Sequence, residues 1–257
     1  MSGRSLAPTR SRERGRAIRQ GDTRRGRRRR DLAVVYEDES IVVIDKPAGM
    51  LSVPLERNPG VPSVAEQLVE RFRSHGKRRP FVVHRIDQDS SGLVVFAKDA
   101  QAQKALVDQF RRREPGRVYL AVVHGEPDPP NGIWRDRLVW DERALIQRAA
   151  RPGDRAAEDA VCEYRVVEPL RGASLVEVRL QTGRRNQIRI QAALRGHSLL
   201  GERRYVPPGA TAGAVRFRRQ ALHAWRLTFR HPRDGRTMEL EAPIPPDIAE
   251  LLVRLRR

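Results

Sequence analysis

The segment from His84 to Gly92 combines charged side chains with a Ser-Ser-Gly turn, in the order His-Arg-Ile-Asp-Gln-Asp-Ser-Ser-Gly. Apolar runs flank it, Phe81–Val83 before and Leu93–Phe96 after, so we predict that the charged groups leave one buried strand and return into another. A carboxylate held rigidly at a strand end, above all Asp87, could act as a nucleophile or a base. The alternative is that Asp87 and Asp89 only accept hydrogen bonds from turn amides.

A second group of polar side chains lies in Thr182–Gln191, which reads Thr-Gly-Arg-Arg-Asn-Gln-Ile-Arg-Ile-Gln. We predict a helix over Asn186–Arg195, with Arg185 and Arg189 on one face of it at i and i+4 spacing. Two such cations repel each other unless an anion lies between them. That anion could be RNA phosphate, a buried carboxylate such as Asp87, or only solvent. The apolar neighbours of Arg189 indicate a partly buried guanidinium, which needs a partner.

Other reaction types lack their motifs in this sequence. It contains no His-x-Glu with Cys-x-x-Cys for a zinc deaminase, no phosphate-binding Gly-x-x-x-x-Gly-Lys-Ser/Thr loop and no Gly-x-Ser-x-Gly elbow. The six histidines are scattered singly, and the single cysteine, Cys162, excludes an intrachain disulfide and a multi-cysteine metal site. We interpret Cys162 as a packing residue. One carboxylate amid many arginines remains as the candidate site.

The charge balance favours a polyanionic partner. Against 32 acidic residues the chain carries 51 basic ones, a formal net charge of +19. Only four of the basic residues are lysines, and arginine is the side chain that grips phosphate with two hydrogen bonds and stacks on bases. Genomic base composition is a competing explanation for the arginine bias, but it does not explain the net charge.

The first 31 residues differ from the rest. They hold twelve arginines against Glu13, Asp22 and Asp31, a local net charge of +9, with almost no apolar residues. We predict a disordered tail. It could be an electrostatic arm for RNA, a merely solvated tail or a mitochondrial transit peptide.

From Leu32 onward, short apolar runs alternate with polar turns, and most of them are typical of strands. Three helices carry start signals: Ser63 with Glu66 before a helix that Gly76 ends, Asp99 before the next, and Asp247 with Glu250 before the last. The stretch 128–157 is polar and predicts little regular structure. Strands are predicted at Ala33–Tyr36, Ile41–Ile44, Phe81–Val83, Leu93–Phe96, Val118–Val123, Val161–Val167, Leu175–Leu180, Ala224–Phe229 and Thr237–Leu240.

This pattern predicts an α+β domain around a largely antiparallel sheet. We expect two parts, a disordered tail over 1–31 and one catalytic domain over 32–257. With no long apolar window and no secretory signal, we expect a cytoplasmic protein without a membrane span, acting as a monomer with no obligate protein partner.

The order of motifs over residues 32–250 resembles one family, the RluA-type pseudouridine synthases, in the branch without an S4 domain. The stretch from Val34–Glu39 through Asp45–Met50 resembles the family's first motif, and His84–Asp87 with Ser90–Leu93 resembles its catalytic motif HRLDxxTSG. Arg117–Gly125 is similar to the strand with the family's tyrosine, where Lys often stands at the position of Arg117. Gly196-His197, Leu200–Glu202, Tyr205, Ala221–Ala224, His231-Pro232 and Ala242-Pro243 continue the resemblance.

The resemblance implies the pseudouridine synthase catalytic fold, with a mainly antiparallel sheet, flanking helices and a central RNA-binding cleft. It implies that the protein isomerises uridines in rRNA, tRNA or both, without cofactor or metal. Asp87 would be the nucleophile, Tyr119 would stack on the base and assist proton transfer, and Arg189 would pair with Asp87. Arg85 would fill the space left by the flipped uridine. The substrate-binding residues implied are His84, Arg85, Thr182, Gly183, Arg184, Gln187 and Ile188.

The sequence departs from the family around Arg189. The family usually reads Thr-Gly-Arg-Thr-His-Gln-Ile-Arg-Val-His, whereas this chain has Arg185, Asn186 and Gln191 in place of Thr, His and the final His. Two rival hypotheses stay open: a catalytically silent RNA-binding or ribosome-assembly protein, and a hydrolase of glycosidic bonds. The intact Asp87 disfavours the silent RNA-binding protein. A hydrolase usually needs a second carboxylate or a metal site, and Asp89 is too close to Asp87 in the sequence for that role.

Overall fold

The computed structural model of the chain describes residues 32–55, 60–73, 79–206 and 215–256. The predicted tail over 1–31 and the helix end at Gly76 lie outside these residues. Strands and helices follow in this order: β1 (Ala33–Glu37), β2 (Ile41–Lys46), α1 (Val64–Arg73), β3 (Phe81–Val82), β4 (Ser91–Ala97), α2 (Ala100–Arg111), β5 (Gly116–His124), β6 (Asn131–Asp141), β7 (Ile146–Ala149), β8 (Glu158–Leu170), β9 (Ala173–Leu180), α3 (Gln187–Leu194), β10 (Leu222–Arg230), β11 (Thr237–Glu241) and α4 (Pro246–Arg256).

All eleven strands join one sheet. Its main path runs β1-β2-β4-β10-β5-β9-β8-β6-β7, with β11 beside β10 and β3 beside β4. The β4–β10 pair is parallel, and the other pairs are antiparallel. The predicted α+β class with a largely antiparallel sheet is confirmed. None of the helices described is long and apolar enough to cross a membrane.

The helices cover both faces of the sheet. In β2 the alternation is strict, since Val43 packs with α2 whereas Val42 packs with α1. Tyr119 of β5 pairs in register with Ala224 on one side and Val178 on the other, so the three side chains share a face. Ala224 belongs to the core beneath α1 and Val178 to the core beneath α3, and Tyr119 packs on both. Helices α1 and α3 therefore flank the same face, with Tyr119 between them.

Local capping explains why several elements begin where the sequence predicts. At α1 the capping box forms, with the Glu66 carboxylate accepting from the Ser63 N–H at 3.0 Å and the Ser63 hydroxyl accepting from the Glu66 N–H at 3.2 Å. At α2, Asp99 accepts from the Ala102 N–H at 2.9 Å. The β1–β2 hairpin closes through Asp38, whose Oδ1 accepts from the N–H of Ile41 at 2.9 Å.

Three predictions were wrong. Residues 131–141 and 146–149, expected to be weakly structured, form β6 and β7, because β6 pairs with β8 along eight residues. The strand at Phe81–Val83 shrinks to two residues with Val82 exposed, so it is not buried. Asp247 does not cap α4, since the helix already begins at Pro246. Its carboxylate instead pairs with Arg219 at 2.7 Å.

Gly92 marks the one close backbone approach that the parallel β4–β10 pair requires. Its φ is +109°, and a Cβ there would collide with the backbone of Ala224. We therefore expect Gly92→Ala to lower the free energy of unfolding by about 3 kcal/mol, measured by urea denaturation. Gly153 is the control, since its φ is +92° but nothing lies near its Cβ. Gly153→Ala should cost only about 1 kcal/mol, and equal losses in both variants would contradict the backbone clash.

Candidate active site

Asp87 is positioned by a loop, not by the strand end that the sequence predicted. Residues 83–87 have no regular secondary structure. Their backbone is instead fixed by side chains from elsewhere in the fold. The Ser52 hydroxyl accepts from the Ile86 N–H at 3.2 Å and lies 3.1 Å from the Ile86 carbonyl oxygen, to which it can donate. The residue before the carboxylate is thereby held in place.

Lys46 fixes the residue after it. This side chain is fully buried, and its Nζ donates to the carbonyls of Gln88, Met50 and Pro47 at 2.8, 2.7 and 3.0 Å. Burial lowers the pKa of Lys46 to about 7, against the opposing charges of nearby carboxylates. Three carbonyl oxygens replace the water that the ammonium loses, so Lys46 joins two loops at the edge of the site.

His84 anchors the start of the same loop. Its Nε2 accepts from the Val95 N–H at 3.1 Å and its ring stacks on Phe110, with centroids 4.6 Å apart. Burial, followed by the charge of Arg117, lowers the pKa of His84 to about 3, so the ring stays neutral and able to accept. His84 does not line the cavity beside Asp87. The prediction that it contacts substrate is therefore not supported, and its place is a positioning one.

Arg189 joins Asp87 to a second carboxylate. Its Nη1 lies 3.1 Å from Oδ2 of Asp87, while its Nε and Nη2 donate to both oxygens of Glu202 at 2.6 and 2.7 Å. Burial by itself lowers the pKa of Arg189, but the hydrogen bonds and charges of Glu202 and Asp87 outweigh it and raise that pKa. Of the partners that the sequence left open for Arg189, the structure selects the buried carboxylate. The guanidinium is a fixed cation at Asp87.

Asn186 provides the second contact to the same carboxylate. Its Nδ2 donates to Oδ2 of Asp87 at 2.6 Å, and its Oδ1 accepts from the Tyr205 hydroxyl at 3.2 Å. The Gln147 N–H donates to that hydroxyl at 3.0 Å. The Asp87 carboxylate can only accept a hydrogen bond and the Gln147 N–H can only donate one. These two ends of the hydrogen-bond series therefore determine which way the Asn186 amide points. Asn186 also has a φ of 54°, a conformation that asparagine tolerates well.

The two contacts leave one oxygen of Asp87 available. Both Arg189 and Asn186 bind Oδ2, and no described side chain donates to Oδ1. The side chain is 26% exposed, and it opens into a cavity of about 280 Å³. Tyr119 lines the same cavity, and burial raises its pKa, so its phenol stays protonated near neutral pH. The site thus offers a fixed carboxylate oxygen beside an aromatic ring.

The wall opposite is the turn that leads into α3. Gln187 closes this turn, since its Oε1 accepts from the Thr182 hydroxyl at 2.7 Å and from the Arg184 N–H at 3.0 Å. Gly183, Arg184, Gln187 and Ile188 line the cavity, as does Arg85. Thr182 does not; it is buried, and its hydroxyl accepts from the Val161 N–H at 2.8 Å. The structure thus shows a structural role for Thr182, and its contact with substrate stays a prediction.

The departures from the family motif have separate explanations. Arg185 lies before the start of α3, so it does not share a helix face with Arg189 as predicted. Its guanidinium instead stacks over Trp140, 4.0 Å from the ring centroid, at the rim of the cavity. Gln191 is fully buried on the core side of α3, where its Nε2 donates to the Asp136 carboxylate at 2.7 Å. Asn186 is the departure that reaches Asp87.

Sequence reasoning missed three members of the site: Asn186, Glu202 and Tyr205. Glu202 and Tyr205 belong to motifs that carried the resemblance, but nothing local in the sequence pairs them with Arg189 or Asn186. They follow α3 by several residues, and only the folded chain brings Glu202 to Arg189 and Tyr205 to Asn186. Within the described residues, no three His, Cys, Asp or Glu side chains are grouped so as to hold a metal ion.

The chain is similar to known proteins of one family. Residues 40–194 match the family model described as RNA pseudouridylate synthase. An uncharacterised RNA pseudouridine synthase of Bacillus subtilis is 37% identical over 235 residues, 88% of this chain and 74% of that protein. The ribosomal large subunit pseudouridine synthase D of Xanthomonas campestris is 39% identical over 234 residues, 88% of this chain and 70% of that protein.

A solved structure shares the fold. Human RNA pseudouridylate synthase domain containing 4 superimposes with a TM-score of 0.72 at 22% sequence identity, covering 87% of this chain and 93% of the human one. At this identity the likeness concerns the fold, and it confirms the predicted pseudouridine synthase fold.

Glu202 gives this site a measurable stability signature. Burial favours its neutral form, but Arg189 outweighs burial and lowers the pKa of Glu202 below its ordinary value of 4.5. A lowered carboxyl pKa stabilises the fold above the unfolded-state value, and that stabilisation is lost as the pH falls through the folded-state value. Glu202→Gln should therefore lower the free energy of unfolding by about 3 kcal/mol near neutral pH.

The difference between wild type and Glu202→Gln should shrink below the ordinary value of 4.5, as measured by urea denaturation across that range. Glu177→Gln is a matched control, because the Glu177 carboxylate pairs with an exposed arginine, Arg165, and such pairs contribute about 1 kcal/mol or less. A Glu202→Gln loss no larger than that of Glu177→Gln, or one that does not change with pH, would count against a buried ionised Glu202.

Proposed function

Because the chain belongs to the RNA pseudouridylate synthase family and is an RNA pseudouridine synthase, we propose that Asp87 is its nucleophile and Oδ1 the attacking oxygen. The observation that carries this proposal is the pair of bonds to Oδ2, from Arg189 at 3.1 Å and Asn186 at 2.6 Å. They fix the plane of the carboxylate at the cavity and leave Oδ1 without a donor among the described side chains.

The isomerisation breaks the bond between N1 of uracil and C1′ of ribose, and joins C1′ to C5 instead. With Asp87 the breakage proceeds by direct attack on C1′ or through a glycal-type intermediate, and both routes start from the ionised carboxylate. In either route the base rotates within the site and the hydrogen on C5 passes to solvent, while N1 takes up a proton. No atom is gained or lost between uridine and pseudouridine, and Asp87 is regenerated.

Other cavity residues have roles that follow from their positions. Tyr119 faces the cavity between α1 and α3, where its ring can stack on the detached uracil and its protonated hydroxyl can take part in proton transfer. Arg85 is exposed at the rim, placed to fill the helix space left by a flipped uridine. Gly183, Arg184, Gln187 and Ile188 form the wall against which the nucleotide packs.

The RNA class proposed is large-subunit ribosomal RNA. Relatives from Zymomonas, Xanthomonas and Xylella at 37%, 39% and 38% identity are named ribosomal large subunit pseudouridine synthases. Transfer RNA is the alternative. We further propose that the enzyme is cytoplasmic and acts as a monomer. For the monomer, the supporting observation is that Arg189 and Asn186 of the same chain supply the contacts of Asp87.

Tritium release tests the proposed chemistry. RNA labelled at C5 of uridine, as total rRNA and as total tRNA, is incubated with the wild type and with Asp87→Asn. We expect the wild type to release tritium from rRNA, and Asp87→Asn to bind RNA with unchanged affinity but release none, because an amide is not a nucleophile. Release of free uracil would indicate a hydrolase, and undiminished turnover by Asp87→Asn would rule out this role for Asp87.

Asn186 should affect the rate without affecting RNA binding. A hydrogen bond to a charged group contributes about 1.5–3 kcal/mol, so Asn186→Ala should slow single-turnover tritium release by roughly tenfold or more. Asn186→Asp should slow it further, because it places like charges together. Tyr205→Phe should have a milder effect, since only the orientation of the amide is loosened. Equal rates in Asn186→Ala and wild type would show that Arg189 alone orients Asp87.

A further inference from the structure

Two residues that line the catalytic cavity each carry a buried polar atom without a hydrogen-bond partner among the described residues. Among the buried side-chain nitrogen and oxygen atoms of the described residues, Ser90 Oγ and Arg117 Nε are those without a hydrogen-bond partner. Buried polar groups in native proteins are nearly always satisfied, so an exception needs an explanation. Both residues line the cavity beside Asp87. Their common location indicates that the missing partner is a ligand of this cavity.

Arg117 is an unusual cation within the described part of the chain. Its guanidinium carbon lies 5.8 Å from the centroid of the Phe110 ring. Its Nε has no hydrogen-bond partner, and no carboxylate of the described residues pairs with the guanidinium. Burial lowers the pKa of Arg117, with Tyr119 opposing this shift and Arg113 adding to it. Two other arginines of the cavity differ, since Arg189 pairs with two carboxylates and Arg184 with Glu158.

The backbone opposite makes room for this guanidinium. A Cβ on Gly183 would collide with Nη1 of Arg117, so a glycine at this position is what lets the arginine lie against the cavity wall. On the other flank, Ser90 is 1% exposed, and its N–H is already used by the Asp87 carbonyl at 3.2 Å. Its hydroxyl remains as a buried donor and acceptor without a partner among the described residues.

We propose that Arg117 and Ser90 form a second subsite in the cavity, in which Arg117 binds a phosphate of the target nucleotide and Ser90 hydrogen-bonds the same nucleotide. This rests on the proposed function. A uracil carbonyl would accept a hydrogen bond from Arg117 but would leave its half-buried positive charge without an anion. A phosphodiester accepts the hydrogen bond and also neutralises the charge. In the proposed arrangement Asp87 acts at C1′ while Arg117 holds the backbone from which that nucleotide has flipped.

The free protein should therefore become more stable when these groups are removed. Arg117→Met replaces an uncompensated cation with an apolar side chain and should raise Tm by about 2 °C. Ser90→Ala should leave Tm unchanged or raise it slightly. Arg226→Met is the control that removes the same charge from an exposed arginine, which stacks on Trp225 and pairs with Glu241. Its Tm should stay within about 1 °C of wild type.

Inorganic phosphate is the probe of the subsite itself. At matched ionic strength, replacing chloride with phosphate should raise Tm of the wild type and of Arg226→Met equally, and raise that of Arg117→Met by less than half as much. Single-turnover tritium release from rRNA should fall at least tenfold in Arg117→Met and recover in part in Arg117→Lys, which restores the charge.

A fall of several degrees in Tm for Arg117→Met would show a structural, paired arginine and overturn the proposal. So would a phosphate increment equal to that of Arg226→Met, or turnover equal to wild type. Failure of the proposed chemistry is a separate result, since the wild type would then release no tritium while the Tm and phosphate differences persisted.

Discussion

The position of Arg189 between Asp87 and Glu202 is the interaction on which the site depends. Glu202 is 1% exposed on its side chain and holds the guanidinium with two bonds, so the remaining nitrogen is left at a fixed place for Asp87. A buried cation requires its anions, and a buried carboxylate requires its cation. Because neither ion can be withdrawn alone without a large loss, the geometry around Asp87 is stabilised by the fold itself.

The same logic governs the loop that carries Asp87. An irregular segment next to a catalytic cavity would be poorly ordered if water alone satisfied its backbone. Here Ser52, Lys46 and Arg219 satisfy carbonyls on either side of the carboxylate, and all three side chains are buried. Polar side chains inside the core thus do for this loop what strand pairing does elsewhere, and the carboxylate gains rigidity without losing access to the cavity.

The arginines around the cavity fall into two groups according to their partners. One group has a structural role, and the other is available to bind RNA. Arg189 and Arg184 have carboxylates and form part of the architecture. Arg185 and Arg117 meet aromatic rings instead, which leaves their charge available to a polyanion. A net charge of +19 brings RNA towards the protein, and Arg185 and Arg117 are placed at the cavity, where their charge can select the site of binding.

The sequence by itself determined the class of fold, the family and the candidate nucleophile. The evidence was local: the periodicity of strands and helices, the caps at Ser63 and Asp99, and the order of the motifs. Such patterns can be recognised without knowledge of the tertiary structure. Local patterns failed where distant pairing decides the outcome. The strands β6 and β7 exist because β8 offers an edge, and Asp247 leaves the cap position because Arg219 lies nearby.

Only the tertiary structure decided which residues complete the site. His84 and Thr182 carry motif positions, yet their side chains turn inward to fix the backbone. Asn186 and Glu202 meet Asp87 and Arg189 across gaps of 99 and 13 residues. Which partner a polar side chain finds depends on the packing of whole elements, since only burial makes one particular partner necessary. That is the physical reason why the sequence named Asp87 and its partner Arg189 but not Asn186, Glu202 and Tyr205, which complete the contacts around them.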